Sequence, residues 1–380
     1  MHGLREAGRR AGDLGARLLM PDRRNHHGTV SRHTNRGLVA VGIALAIGPS
    51  ILDVEPANGG APKCFGRRAT IVGTDGPNRI RGTQGTDVIV ARRGSDVIDG
   101  FGGRDFICAG PGRDFVFGGS GNDRIKAGDG GDYMAGGPGS DLLNGGAGFD
   151  YVDYATADEG IVADTGLDRV RGQGADSIPA VEGILGTSKA DTMTGSDGPE
   201  DFFGARGRDT LAGGAGDDVI AGGRGVDVLD GGAGTADLVE FFDAAGGVQV
   251  DLAANSVAGA ESDSIVGFEG ATGSTFDDVI TGTDAANGIF GGYGDDELRG
   301  RAGDDLIEGR GHDDFMAGDA GNDTLDGGPG TDGADGGEGT DSCVAETTVN
   351  CESRRAPSVF SRVQSLREAV RAGRLQGLLR

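Results

Sequence analysis

From residue 73 onward, short apolar segments alternate with longer glycine-rich segments at a period of nine residues. In the first nine units, which run from Gly73, the fourth position is Gly and the eighth is Met or aliphatic, from Ile80 to Val152. Positions one to six are too rich in glycine for regular structure and predict a tight turn. Positions seven to nine predict a three-residue strand whose middle side chain points inward.

Two units of this kind predict one coil of a solenoid, with successive units in opposite sheets. Strands of equivalent units then stack in parallel, and the eighth-position residues form a narrow aliphatic core. No unit buries its apolar residue alone, so the core requires stacking. We therefore expect an all-β protein, a parallel β-roll or β-solenoid of nonapeptide repeats.

Interruptions of the register divide the chain into segments. The predicted segments are an export signal segment (1–61), a first repeat block (62–154), a spacer (155–185), a second block (186–236), a spacer (237–272), a third block (273–352) and a basic C-terminal helix (353–380). The two spacers have related sequences with alternating apolar residues, as in 160–164 and 247–251. This alternation predicts extra strands in the stack rather than separate domains.

The sixth position of the unit is usually Asp, and these residues are the candidate metal ligands. They are Asp87, Asp96, Asp105, Asp114, Asp123, Asp132, Asp141, Asp150, Asp191, Asp209, Asp218, Asp227, Asp278, Asp296, Asp305, Asp314, Asp323, Asp332 and Asp341. Stacked strands lie about 4.8 Å apart, so the carboxylates and turn carbonyls of adjacent coils should converge. The alternative is that these Asp side chains only make Asx-turn hydrogen bonds.

Charge favours the metal-binding interpretation. Residues 64–352 contain 19 Lys and Arg against 54 Asp and Glu, a net charge of −35. A body with that charge repels itself unless cations neutralise it, and it is a poor partner for nucleic acid. Ca²⁺ accepts six to eight oxygen ligands, whereas Mg²⁺ retains its waters. The repeats hold one His, His312, and scattered Cys, which argues against imidazole or thiolate metal sites. We predict several Ca²⁺ ions as cofactors.

Over about residues 64–344 the units resemble the hemolysin-type calcium-binding repeat, the RTX nonapeptide G-G-x-G-x-D-x-U-x. Segments 118–123 (GGSGND) and 213–218 (GGAGDD) match it fully. The resemblance implies a parallel β-roll with Ca²⁺ in the turns, held by the sixth-position Asp and by backbone carbonyls. The segments around Cys64 and Cys343 also look like those of exported bacterial proteins of this family.

Several turns depart from that motif, and we expect them to bind calcium weakly or not at all. The departures are Asn78, Glu200 and Asn287 at the sixth position, Lys189 at the fourth, and the turn residues Arg92, Arg93, Arg104 and Arg113.

The two ends of the chain differ from the repeats. Residues 37–48 form an apolar run behind several Arg residues, which is typical of a signal peptide and shorter than the roughly 20 residues of a membrane span. The alternative is a retained anchor. Residues 358–380 have a helical apolar face (Val359, Val363, Leu366 and Val370). This predicts a cap on the solenoid, or a basic helix that docks on a membrane or on the acidic body.

Four cysteines allow three disulfide pairings. Cys64 precedes the first unit and Cys108 lies in the fourth, while Cys343 and Cys351 flank the last turn. We predict the pairs Cys64–Cys108 and Cys343–Cys351, one at each end of the solenoid, since export makes oxidation plausible. Free thiols are the alternative.

The sequence predicts a non-enzymatic protein, because almost every residue from 64 to 352 belongs to a repeat or spacer and no H-E-x-x-H or G-x-S-x-G motif occurs. We expect a secreted, extracellular structural or interaction module that folds on Ca²⁺, with calcium ions as partners and a possible cell-surface or matrix partner. The alternative is a calcium-dependent polysaccharide-modifying or other hydrolytic enzyme with its site on a spacer face.

Overall fold

The computed structural model of the protein describes residues 61–259 and 262–351, and these residues form strands and turns without a helix. The predicted export segment and the predicted C-terminal helix lie outside the described residues, except for Ala61. No helix in the described part of the chain is long and apolar enough to cross a membrane.

Two long sheets face each other across the core, and the first has fourteen strands. In spatial order they are Arg79–Arg81, Val97–Asp99, Phe115–Phe117, Tyr133–Ala135, Tyr151–Asp153, Gly183–Leu185, Asp201–Phe203, Val219–Ala221, Leu238–Glu240, Gly270–Thr272, Gly288–Tyr293, Leu306–Gly311, Thr324–Asp326 and Ser342–Val344. Every neighbouring pair in this sheet is parallel.

The second sheet has nineteen strands. In spatial order they are Ile71–Val72, Val88–Val90, Phe106–Pro111, Arg124–Asp129, Leu142–Ala147, Ala175–Ser177, Arg169–Arg171, Val162–Asp164, Thr192–Thr194, Thr210–Ala215, Val228–Ala233, Ser264–Val266, Ser256–Gly259, Val248–Asp251, Val279–Thr281, Glu297–Ala302, Phe315–Ala320, Gly333–Asp335 and Thr347–Val349. Two short pairs complete the strands: Lys63–Cys64 with Arg67–Arg68, and Arg206–Gly207 with Arg224–Gly225.

The register confirms that two nonapeptides make one coil. Ile80 lies beside Ile98 in the first sheet, and Ile89 lies beside Ile107 in the second, each pair 18 residues apart. Eighth-position side chains form the predicted core, since residues such as Ile98 and Leu298 are fully buried. The core is thin because each turn contributes one apolar side chain to it.

Each spacer contributes three strands to the second sheet; the first spacer adds one strand to the first sheet and the second spacer adds two. Within the first spacer, Val162–Asp164 and Ala175–Ser177 both pair antiparallel with Arg169–Arg171. Val248–Asp251 and Ser256–Gly259 are likewise antiparallel in the second spacer. The chain therefore advances along the second sheet and folds back before the parallel coils resume.

Both predicted disulfides are confirmed. Cys64 bonds to Cys108, and Cys343 bonds to Cys351. The first bond joins the strand before the repeats to the strand Phe106–Pro111, and the second closes the last coil. The two disulfides therefore lie at the beginning and the end of the described stack.

Candidate metal centre

The sixth-position aspartates form two ladders, one along each row of turns. The backbone N–H of most sixth residues donates to Oδ1 of the matching residue one coil further on, at 2.7–3.0 Å. Asp105 Oδ1, for example, accepts from Asp87 N–H at 2.8 Å. All nineteen predicted Asp residues are buried, at most 6% exposed. The ladder thus holds the Oδ1 atoms in register at the turns.

The second oxygen of most of these carboxylates is buried and accepts no hydrogen bond. This holds for Oδ2 of Asp96, Asp105, Asp114, Asp123, Asp132, Asp141, Asp150, Asp209, Asp218, Asp227, Asp237, Asp296, Asp305, Asp314, Asp323 and Asp332, and for Oε2 of Glu200. A buried carboxylate oxygen without a donor is costly unless the group is protonated or meets a cation. Its repetition at the same place in successive coils makes these turns candidate cation sites.

Backbone carbonyls lie next to these oxygens. A Cβ built on Gly100, at the first position of its turn, would lie 2.6 Å from Asp105 Oδ2 and 2.5 Å from the carbonyl oxygen of Gly118. Gly204 stands in the same relation to Asp209 Oδ2, at 2.5 Å, and to the carbonyl of Gly222, at 2.6 Å. Glycine at the first position therefore keeps open a space lined by carboxylate and carbonyl oxygens.

The chemistry of this donor set fits Ca²⁺. In the described ranges, no group of three or more His, Cys, Asp or Glu side chains is arranged to hold a metal ion, so an ion would need carbonyls from two turns as well as a carboxylate. Ca²⁺ accepts carbonyl and carboxylate oxygens in flexible geometry, whereas Mg²⁺ demands a tight octahedron. A bound Ca²⁺ would supply the positive charge that these oxygens lack.

Burial also raises the pKa of these carboxyl groups. The pKa of Asp114, Asp132 and Asp218 rises from the ordinary 3.8 to about 7, and that of Asp296 rises to about 8. Desolvation is the main cause, hydrogen bonds from backbone N–H groups oppose it, and neighbouring carboxylates add to it. Near neutral pH these turns therefore need either protons or a metal ion.

The structure also places in the ladders residues that the sequence analysis had not assigned to them. Asp237 accepts from Asp218 N–H at 2.8 Å, although its turn has one additional residue. Asp176 and Asp263, in the spacers, accept from Asp141 and Asp227. Three glutamates outside the repeat motif accept from the ladder in the same way, namely Glu182, Glu269 and Glu346.

These ladders and glycine turns define a parallel β-roll whose turns present carboxylate and carbonyl oxygens. Comparison with family models gives matches to the RTX calcium-binding nonapeptide repeat (4 copies) at residues 68–96, 81–116, 117–152, 184–211, 203–236, 272–307 and 308–343. The matches cover more than half of the chain, so the protein belongs to this family. A search of curated proteins found no match.

Proposed function

We propose that this protein is an extracellular structural or interaction module whose roll is folded by Ca²⁺. The observation that carries the proposal is the row of buried carboxylate oxygens without donors, from Asp96 to Asp332. Where free Ca²⁺ is low, repulsion within the body of charge −35 disfavours stacking. Where Ca²⁺ is abundant, binding energy becomes folding energy.

The ions would be held by sixth-position carboxylates together with turn carbonyls of the neighbouring coil. Extracellular calcium modules bind with dissociation constants of about 10⁻⁴–10⁻³ M, and we expect individual sites of this roll to fall in that range. The disulfides Cys64–Cys108 and Cys343–Cys351 support an oxidising location outside the cytoplasm.

The test of calcium-driven folding is far-UV circular dichroism of residues 62–380 after removal of metal. We expect addition of Ca²⁺, and not of Mg²⁺, to produce a cooperative gain of β signal. An equal β signal with and without chelator would contradict the proposal.

The location needs a separate experiment. The full chain expressed in a bacterial host should appear outside the cytoplasm with both disulfides formed, whereas a chain that starts at residue 62 should stay inside. Retention of both chains in the cytoplasm would contradict an extracellular role. Calcium-dependent activity of the exported chain on a panel of polysaccharides would point to the enzymatic alternative.

A further inference from the structure

Six turns differ from the others at their second position. They open the three repeat blocks in pairs, and they carry Thr or Ser where the motif has Gly: 73–78, 82–87, 186–191, 195–200, 273–278 and 282–287. In each, the backbone N–H of that Thr or Ser donates to the sixth-position side chain, at 2.5–3.1 Å. We call these six the hydroxyl-closed turns.

The hydroxyl group completes the closure. Thr83 Oγ1 donates to Asp87 Oδ2 at 2.9 Å and accepts from Gly85 N–H at 3.1 Å. Thr187 makes the same pair of bonds, to Asp191 at 3.0 Å and from the N–H of residue 189 at 2.9 Å. Where the sixth residue is Asn78, its Nδ2 donates to the Thr74 hydroxyl instead, at 2.8 Å. The turn is therefore closed by protein donors alone.

The closed carboxylates lack the feature that marks a cation site. Asp191 and Asp278 have a donor on each oxygen, because the spacer N–H groups of Ile161 and Val248 bind their Oδ1 atoms at 2.7 Å. Oδ2 of Asp87 accepts both from the N–H and from the hydroxyl of Thr83. The N–H and O–H groups stand where a cation would have to approach.

The backbone of the hydroxyl-closed turns also takes a different path. A Cβ built on Gly85, at the fourth position, meets nothing closer than 3.8 Å, whereas one on Gly103, which has a φ of +110°, would lie 2.6 Å from the carbonyl carbon of Gly85. The fourth position accordingly accepts Lys189, Phe276 and Ala285, none of which has a positive φ. The backbone at the fourth position therefore differs from that of turns such as 100–105.

We propose that five hydroxyl-closed turns bind no calcium and serve as metal-free starting turns on which calcium-loaded coils stack. This inference deepens the proposed function and rests on it. The turn 195–200 is not one of the five. Glu200 Oε1 accepts a hydrogen bond from Ser196 N–H, but Glu200 Oε2 has no donor.

Each pair of hydroxyl-closed turns has a neighbour that stabilises it without metal. In the first block the pair lies between Cys64 and Cys108 along the chain, which are disulfide-bonded. In the second and third blocks the pair follows a spacer, whose N–H groups reach Asp191 and Asp278. A coil that is closed in this way offers the next coil a preformed edge, from which folding can propagate to the neighbouring coil.

The test compares the same substitution in two adjacent coils of one ladder. Asp87→Asn alters a hydroxyl-closed turn, and Asp105→Asn alters the neighbouring turn whose Oδ2 has no donor. Asn78 and Asn287 show that Asn is accommodated at the sixth position. Equilibrium dialysis would count the calcium ions bound at saturation, and circular dichroism would give the calcium midpoint of folding.

We expect Asp87→Asn to bind as many ions as the unsubstituted chain, with a midpoint within twofold. We expect Asp105→Asn to lose at least one ion and to raise the midpoint at least threefold. If Asp105→Asn does not fold at any calcium concentration, Asp87→Asn alone tests the inference. Loss of a calcium ion in Asp87→Asn would overturn it.

A second variant tests for a gain of calcium binding. Thr83→Gly converts 82–87 to the full motif G-G-x-G-x-D, and we expect one additional ion; an unchanged number would overturn the inference. A chain that binds no calcium in any form would instead overturn the proposed function itself, so the two failures are distinguishable.

Discussion

The first two turns of each block and the turns that follow them have the same nine-residue period but are closed differently. In 82–87, Thr83 supplies both an N–H and an O–H to Asp87. In 100–105, the second residue is Phe101, with a φ of +69°, and Asp105 Oδ2 has no donor. Both turns have Asp at the sixth position, but only the turn with Thr at the second position gives Oδ2 of that Asp hydrogen-bond donors.

The largest expected effect is on pH dependence, because it acts on all the unsatisfied turns together. In the metal-free roll, burial raises the pKa of Asp114 to about 7 and that of Asp296 to about 8, from 3.8. A carboxyl with a higher pKa in the folded chain stabilises the fold below its unfolded pKa and loses this contribution as the pH rises through the folded value. Circular dichroism of the metal-stripped chain should therefore show order near pH 4 that is lost by pH 8, whereas the calcium-loaded chain remains ordered.

The matched control for that experiment is Asp114→Asn, which removes one of these carboxyls. It should reduce the difference in β signal between pH 4 and pH 8. A metal-stripped chain that is as ordered at pH 8 as at pH 4 would show that the later turns need no neutralisation, and the comparison would fail.

The next largest effect concerns the disulfide near the first pair of hydroxyl-closed turns. Cys64 and Cys108 are 44 residues apart, whereas Cys343 and Cys351 are 8 apart. By loop-closure entropy, loss of the first bond should lower the free energy of unfolding by about 4 kcal/mol and loss of the second by about 2.5 kcal/mol. Urea unfolding in saturating Ca²⁺ of the two double Cys→Ser variants measures both, and the reverse order would contradict this account.

Glycine at the fourth position gives a smaller contrast. Gly103→Ala would place a Cβ at a φ of +110° and 2.6 Å from the carbonyl carbon of Gly85, so it should cost about 2–4 kcal/mol from backbone strain and overpacking. The Cβ of Gly85→Ala would meet only Thr83 Oγ1, at 3.8 Å, so this variant should change the free energy of unfolding by less than about 1 kcal/mol. Urea unfolding in saturating Ca²⁺ compares them, and equal losses would mean that the two turns have the same backbone requirement.

Much of the fold can be predicted from the sequence, because the nine-residue period fixes the position of each residue in its turn or strand. The eighth-position core, the 18-residue register between Ile80 and Ile98 and both disulfides were predicted. Asp237 was missed because one additional residue in its turn shifts the register.

Other features depend on contacts that a period does not encode. Alternating apolar residues in the spacers predict strands but not their direction, and Arg169–Arg171 runs antiparallel to both of its neighbours. Thr83 and Thr187 are visible in the sequence, but their role appears only when their hydroxyl donors are seen to reach Asp87 and Asp191.

The smallest expected effect isolates the hydroxyl group itself. Thr83→Val keeps the shape of the side chain but removes the O–H that reaches Asp87 Oδ2, so it should lower the free energy of unfolding by about 1.5–3 kcal/mol, the worth of a hydrogen bond to a charged group. Thr331→Val is the control, since Thr331 is also exposed in a turn, and it should stay within about 0.5 kcal/mol. Urea unfolding measures both, and the number of bound calcium ions should be the same in both variants. A Thr83→Val chain that instead binds an additional ion would mean that the hydroxyl alone excludes the metal, and that the backbone N–H of residue 83 does not.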